Sequence, residues 1–188
     1  MRRAARGFTL IELAITLAVL GILISYGLPQ FTAWINNTKI RTTAEGIANG
    51  VQLARAEAVR GNQRVQFVLG NAGGASSWTV SSIGTGNALT TIQQRPPEGS
   101  TSVTIAVTPS GADTVTFNGL GAALAQNWID GSAPITQIDV CTSATNVSSS
   151  EIRKMRIAIG TGGTVRMCNP SLTSPDPQAC PTAAASAC

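Results

Sequence analysis

The chain has 188 residues, 43 % of them hydrophobic and 12 % charged, with 13 basic and 9 acidic side chains and a formal net charge of +4. It contains no histidine, which excludes Ser-His-Asp and Cys-His catalysis. Three of the basic residues, Arg2, Arg3 and Arg6, lie in the first six positions, so the remainder is close to neutral and bulk charge gives no argument for nucleic acid.

The first element is a basic leader, Met1 to Arg6, followed by Gly7-Phe8-Thr9-Leu10-Ile11-Glu12 and an apolar run whose one charge is Glu12. An ordinary secretory signal also begins with a basic region and an apolar stretch, but it needs a small-residue cleavage site after that stretch. Ser25-Tyr26-Gly27-Leu28-Pro29-Gln30 offers none. A carboxylate within an apolar span costs roughly 2.5 to 3.5 kcal/mol on insertion scales, so Glu12 calls for a cationic partner and a function. The junction resembles the signal of type IV prepilins and type II secretion pseudopilins. That resemblance implies cleavage by a membrane prepilin peptidase after Gly7 and methylation of the new N-terminal Phe8. It also implies that Glu12 serves subunit assembly by pairing with the α-amino group of a neighbour.

From Phe8 to Leu28 a helix would run about 31 Å, the thickness of a bilayer's hydrocarbon core. No charge follows Glu12 until Lys39. The leader arginines should hold the N-terminus in the cytoplasm and place everything beyond residue 30 in the periplasm. Pro29 should bend this helix without ending it. Past the span, Ile40, Ala44, Ile47, Val51, Ala54 and Ala58 alternate four and three apart, a helical stripe. Arg60-Gly61-Asn62 reads as a last-turn cation with a glycine cap. Gly46 and Gly50, unfavourable in a helix interior, are explained by close packing against a sheet.

After Asn62 the period changes to two. Residues 64 to 69 and 77 to 81 flank a glycine-rich turn, the pattern of a hairpin. Further strands are expected at Ala88 to Gln93, Thr101 to Thr108, Thr114 to Asn118, Ile135 to Cys141, Ile152 to Ile159 and Thr164 to Cys168, separated by Gly, Ser, Asn and Pro. The fold class is α+β: a long N-terminal helix, its first half transmembrane, packed by its second half on antiparallel sheet of a C-terminal globular domain. The expected divisions are a leader at 1–7, the membrane half of the helix at 8–29, a globular domain at 30–170 and a Pro-, Ser- and Ala-rich tail at 171–188.

The stretch from Ala48 to Val59, the Trp78 strand, Phe117-Asn118-Gly119-Leu120-Gly121, and Gly163-Thr164-Val165-Arg166-Met167-Cys168-Asn169-Pro170 resemble the GspH/FimT group. That group contains minor pseudopilins of type II secretion and minor pilins of type IV pili, and the terminal strand with Asn169-Pro170 looks closer to the FimT and FimU minor pilins. The resemblance implies a pilin-like fold, other pilins as partners, and residence in a bacterial inner membrane before assembly into a filament. No cofactor is expected, and a metal site, the competing reading of the four cysteines, is weak because no C-x-x-C pair and no histidine exist to complete it.

Lys154, Arg156 and Arg166 form a local basic cluster. Alternation turns them away from the core, and a hairpin through Gly160 to Gly163 would bring them onto one solvent face, with Asp139 as a partial offset. Some FimT-like proteins take up DNA through a Gly-Arg-x-Arg signature in this last strand; here it reads Gly163-Thr164-Val165-Arg166, without the first arginine. Three such cations would give weak, salt-sensitive binding with a log-log slope of about −3 at most. A solvated strand face is the competing explanation.

Cys141, Cys168, Cys180 and Cys188 lie in the last third of a chain expected in an oxidising compartment, where disulfides form. Four cysteines allow three pairings. Strand alternation favours Cys141 with Cys168 across adjacent strands, leaving Cys180 with Cys188 to staple the tail. The scattered Asp113, Asp130 and Asp139 suggest no catalytic set. The sequence therefore reads as a non-enzyme: a minor pilin of a type IV pilus contributing to priming or tip assembly, with a DNA-binding pilin for transformation and a secretion pseudopilin as the alternatives.

Overall fold

The computed structural model describes residues 8–70, 76–96, 103–142 and 152–180, with the side chains of 26–30 outside the described set. The leader, Gly7 and Cys188 therefore lie outside the described residues. A single helix, α1 (Leu10–Gly61), runs uninterrupted through Pro29. Thr9 caps its start: the Glu12 N–H donates to Thr9 Oγ1 at 3.3 Å and the Thr9 N–H to Glu12 Oε2 at 3.4 Å. At the other end Gly61 is still helical, and the left-handed cap is Asn62 at φ 43°, one residue later than expected. Asparagine reaches this conformation because its short polar side chain bonds locally.

Eight strands follow: β1 (Arg64–Leu69), β2 (Trp78–Ile83), β3 (Leu89–Arg95), β4 (Val103–Thr108), β5 (Thr114–Phe117), β6 (Gln137–Thr142), β7 (Met155–Ile159) and β8 (Val165–Cys168). They divide into two antiparallel sheets, ordered β3-β2-β1-β5 and β4-β6-β7-β8. Between β3 and β6 the chain changes sheet each time, so β5 returns to pair with β1 after β4 has joined the second sheet.

The helix lies on both sheets. Ile40, Ala44, Ile47, Val51, Ala54 and Ala58 are all fully buried, joined by Val65, Phe67, Val80, Val115 and Phe117 from the first sheet and Ile138, Val140 and Ile157 from the second. Two glycines let the backbones approach. A Cβ on Gly50 would stand 2.8 Å from the Trp78 ring and 2.9 Å from Phe67, and one on Gly46 would collide with the Arg95 guanidinium. Close packing is thus why both glycines sit inside the helix.

Among the described side chains, the first half of α1 packs on nothing. Every apolar side chain from Phe8 to Ile24 is exposed, with Leu10 at 88 % and Ile24 at 48 %. Among the described residues no helix is long and apolar enough to cross a membrane. The apolar stretch read in the sequence continues through 26–28, where side chains are not described.

Candidate functional site

Three regions carry residues that the sequence singled out: the N-terminal end of α1, the outer face of the second sheet, and the loop that joins the two sheets near the C-terminal end of α1.

At the start of α1, the Glu12 carboxylate accepts from Thr9 within its own chain and lies exposed. About five turns of helix separate this group from Phe31 and Trp34, whose rings stack at 5.9 Å where the helix meets the globular domain. Trp and Tyr rings commonly mark such a boundary between apolar and wet surroundings.

On the second sheet, register places Asp139 opposite Arg156, and Arg156 opposite Cys168. Arg156 is on the side away from α1, as alternation requires, but that side is not open. Its side chain is 2 % exposed and that of Asp139 1 %. Arg156 Nε donates to Asp139 Oδ1 at 2.7 Å and its NH2 group to Oδ2 at 3.1 Å, while Gln137 Nε2 also donates to Oδ2 at 3.1 Å. This corrects the expected solvent-facing trio. A buried guanidinium needs a carboxylate, and the bidentate geometry supplies one. Arg166, opposite Ala158, is exposed on the same side, and Lys154 is half-buried just before β7.

The pairing of cysteines also differs from expectation. Cys168 is bonded to Cys180, with Cα atoms 5.1 Å apart. Cys141 is disulfide-bonded as well. The expected bridge from Cys141 to Cys168 fails because β7 lies between β6 and β8: two strand spacings put about 9.6 Å between them, beyond the roughly 6.8 Å limit for a disulfide. With Cys180 taken by Cys168, the expected bridge from Cys180 to Cys188 falls too. The chain after β8 doubles back, the Asn169 N–H donating to the Gln178 carbonyl at 2.7 Å and Asn169 bridging Ala179.

The joining loop is built on asparagines. Asn118 Oδ1 accepts from the N–H groups of Leu120 and Ala122, both at 3.0 Å, an Asx turn that folds 118–122 tightly. Its Gly121, at φ 77°, presents its carbonyl to Arg55 Nε of α1 at 3.1 Å, and Gly163, at φ 75°, comes so close that a Cβ there would strike that carbonyl. The Ala123 N–H then donates to Thr161 at 3.1 Å. Helix, first sheet and the β7–β8 turn are thus pinned together here, giving Gly163 a packing role. Asn127 was missed in the sequence: it is buried and donates to the Thr114 carbonyl at 3.1 Å and Ser132 Oγ at 2.9 Å. Only its place in a loop punctuated by Gly119, Gly121 and Gly131 hinted at it.

The aromatics separate into two kinds. Phe117 and Trp78 are core, their role as anchors following from burial. Trp128 is half-exposed beneath Arg64, whose guanidinium lies 3.5 Å from the ring centre, and its indole N–H donates to Asn87 at 3.1 Å. On the helix surface Glu45 and Glu57 hold Arg41 and Arg60 at 2.7 and 2.6 Å, and each carboxylate pushes its guanidinium's pKa up through the hydrogen bond and the charge.

A model of the family described as "Type II transport protein GspH" matches residues 43–163, and one described as "Prokaryotic N-terminal methylation motif" matches 2–27. Over 84 residues the chain is 34 % identical to the type IV narrow pilus major component PilA5 of Thermus thermophilus, covering 41 % of this chain and 72 % of that protein. Among solved structures it is similar to the type IV minor pilin FimU of Pseudomonas aeruginosa, at 12 % identity and a TM-score of 0.51, over 69 % of this chain and 88 % of that one. The minor pseudopilin EpsH of the Vibrio cholerae type 2 secretion system matches at 12 % identity and a TM-score of 0.48, over 70 % and 98 %. The family model matched over residues 43–163, with the methylation motif across residues 2–27 at the start of the long helix, makes this chain a member of the GspH family, a pilin or pseudopilin of the type IV pilus and type II secretion class.

Proposed function

We propose that the chain is a minor pilin of a type IV pilus, held in the bacterial inner membrane by the first half of α1 with its globular domain in the periplasm, and drawn from there into the filament to help prime or form its tip. The observation that carries this reading is the contrast within one helix: the stripe of Ile40, Ala44, Ile47, Val51, Ala54 and Ala58 is fully buried on the chain's own sheets, whereas every apolar side chain from Phe8 to Ile24 is exposed. Burial of such a surface gains roughly 25 cal/mol per Å², so it demands lipid first and neighbouring helices afterwards. Prepilin peptidase removes the leader after Gly7, Phe8 is methylated, and Glu12 exchanges its local bonds with Thr9 for the amine of an adjacent subunit. The fold serves as a rigid mount for that helix, and its chemistry is assembly.

The test is Glu12→Ala in the full chain. Membrane insertion should be retained and the amount in sheared filaments should fall. Undiminished incorporation would remove the register role. A DNA-capturing pilin is the weaker alternative, because Arg156 is committed to Asp139 and only Arg166 stands exposed at the signature strand. A secretion pseudopilin would use the same helix in a shorter filament.

A further inference from the structure

Beside the stretch of α1 where packing on the globular domain begins lies a groove of about 870 Å³. Trp34, Asn37 and Arg41 line it from the helix, and Arg153, Asn169 and Gln178 line it from the near end of the second sheet and the segment that follows. The backbone N–H of Arg153 donates to Asn37 Oδ1 at 2.8 Å, which puts Arg153 level with Asn37 along the helix. The lining is mainly polar, with amides on both walls, and carries two guanidinium groups, Arg41 and Arg153, against one carboxylate, Glu45. Two positive charges less one negative leave the groove at +1. Glu45 is bonded to Arg41 through Nε at 2.7 Å, and the Arg41 side chain stays 74 % exposed, with its terminal N–H groups directed away from that bond. Asp176, close by on the folded-back segment, accepts from the Gln178 N–H at 2.8 Å.

The height of the groove above the bilayer points to its ligand. The helix backbone is continuous from Leu10 to Gly61, so axial positions follow from a rise of about 1.5 Å per residue. With the span ending at Leu28, Ala33 stands about 7.5 Å beyond the hydrocarbon edge, and it is the first of the described side chains to be buried on the globular domain. The headgroup layer is about 5 to 7.5 Å thick on each side of a bilayer. The lower edge of the domain therefore rests on the headgroups, with the exposed Trp34 ring at their outer limit. Asn37, and with it Arg153, lies about 6 Å higher, within the reach of a long arginine side chain. Lys39 and Arg41 add positive charge to the translocated flank within about 15 residues of the span, where it opposes the orientation set by Arg2, Arg3 and Arg6. An anionic lipid surface offsets that disadvantage.

We propose that the groove binds the phosphodiester headgroup of an anionic phospholipid in the periplasmic leaflet, with Arg153 and Arg41 as the charged contacts and the Asn169 and Gln178 amides as hydrogen-bonding ones. The bound headgroup holds the globular domain down on the bilayer before assembly. The inference rests on the membrane-held state proposed above and adds a ligand to it. Free phosphate offers the same chemistry, and an acidic segment of another protein would meet the same charges, so the experiment separates all three.

The experiment takes the whole mature chain, residues 8–188, purified from membranes and stripped of lipid in a neutral detergent, and titrates it with dioleoylphosphatidylglycerol under native mass spectrometry. Expected is one phosphatidylglycerol bound more tightly than any further ones. Its affinity should fall about fivefold in Arg153→Gln, as for one cation at an anionic surface, and be largely restored in Arg153→Lys. Arg60→Gln removes the same charge at the far end of α1 and should leave the affinity unchanged. Both positions are exposed and the Arg153 bond to Asn37 runs through the backbone, so the near-ultraviolet spectrum should be retained in every variant. Millimolar inorganic phosphate should not displace the lipid. Displacement by phosphate, equally tight dioleoylphosphatidylcholine, or equal losses in Arg153→Gln and Arg60→Gln would overturn the proposal. Unchanged lipid binding in Arg153→Gln would overturn it too, and fewer such chains in sheared filaments would then assign the groove to a protein partner. Recovery of the parent chain in the soluble fraction would instead overturn the membrane-held reading, and this inference with it.

Discussion

Asp139 and Arg156 face each other across β6 and β7 with Nε 2.7 Å from Oδ1, both almost wholly withdrawn from solvent on the side of the sheet that faces away from the helix. An outer sheet face would ordinarily be wet. Here Cys168, bonded to Cys180, stands next to Arg156 on the other side, so Arg156 lies between the Asp139 strand and a disulfide-bonded one. A buried ion pair carries a desolvation cost that its attraction offsets only when the geometry is good, and removing one partner leaves a charge with no compensation.

Asp139→Ala should therefore destabilise the globular domain by about 3 to 5 kcal/mol. Asp139→Leu combined with Arg156→Met should recover most of that loss, since well-packed apolar replacements are often neutral. Urea unfolding followed by tryptophan fluorescence measures both. A single mutant as stable as the double would contradict the pairing.

Non-reducing peptide mapping should yield a fragment joining Cys168 to Cys180 and none joining Cys141 to Cys168. Replacing Cys168 and Cys180 together by serine closes no loop in the unfolded chain and should cost about 3 kcal/mol. The segment after Asn169 should then become the first site of limited proteolysis.

Gly163→Ala should be among the most damaging single-atom changes. It forces a left-handed backbone at φ 75° on a residue with a Cβ and drives that Cβ into the Gly121 carbonyl. The conformational part alone costs roughly 1 to 2 kcal/mol. Gly131→Ala shares the positive φ but meets nothing within 4 Å, so it isolates the conformational part. Equal thermal shifts in the two variants would show that the close approach to Gly121 contributes nothing.

Asp130 accepts from the Ser132 N–H at 3.0 Å and from its hydroxyl at 2.9 Å, which lowers the carboxyl pKa below its ordinary 3.8. A group whose folded pKa is depressed stabilises the fold above the unfolded value and loses that contribution as pH falls through the folded one. The 127–132 turn should thus hold at neutral pH and loosen only below about pH 3.8. A pH titration of the Ser132 amide by NMR reads this directly, and Asp130→Asn should abolish the transition.

Much of the architecture was legible because it is local. Helix α1, its buried stripe and all eight strands follow from a change of period from 3.6 to 2, which depends on which neighbours share a face of one element. The packing glycines Gly46 and Gly50 were readable for a related reason: inside a stripe of good helix formers, a glycine must be making room. Asn62 displaced Gly61 as the cap because either residue adopts the left-handed conformation and the choice turns on one residue of helix length.

Arg156 and the cysteines were not legible in the same way. Alternation determined which side of the strand Arg156, Cys141 and Cys168 occupy, and that much holds. Whether the side is wet, and which cysteine lies within bonding reach, depends on strand order and on where the chain returns after β8. Those are set by long-range pairing between segments far apart in sequence, where a one-strand insertion moves a residue by about 4.8 Å and changes every partner. The amino-acid sequence by itself determined the elements, their faces and the exposed apolar half of the helix, since each rests on spacing along the chain. Only the tertiary structure decided that the basic strand face is partly closed by an ion pair, and that the tail folds back to wall a groove, because both require elements distant in sequence to meet.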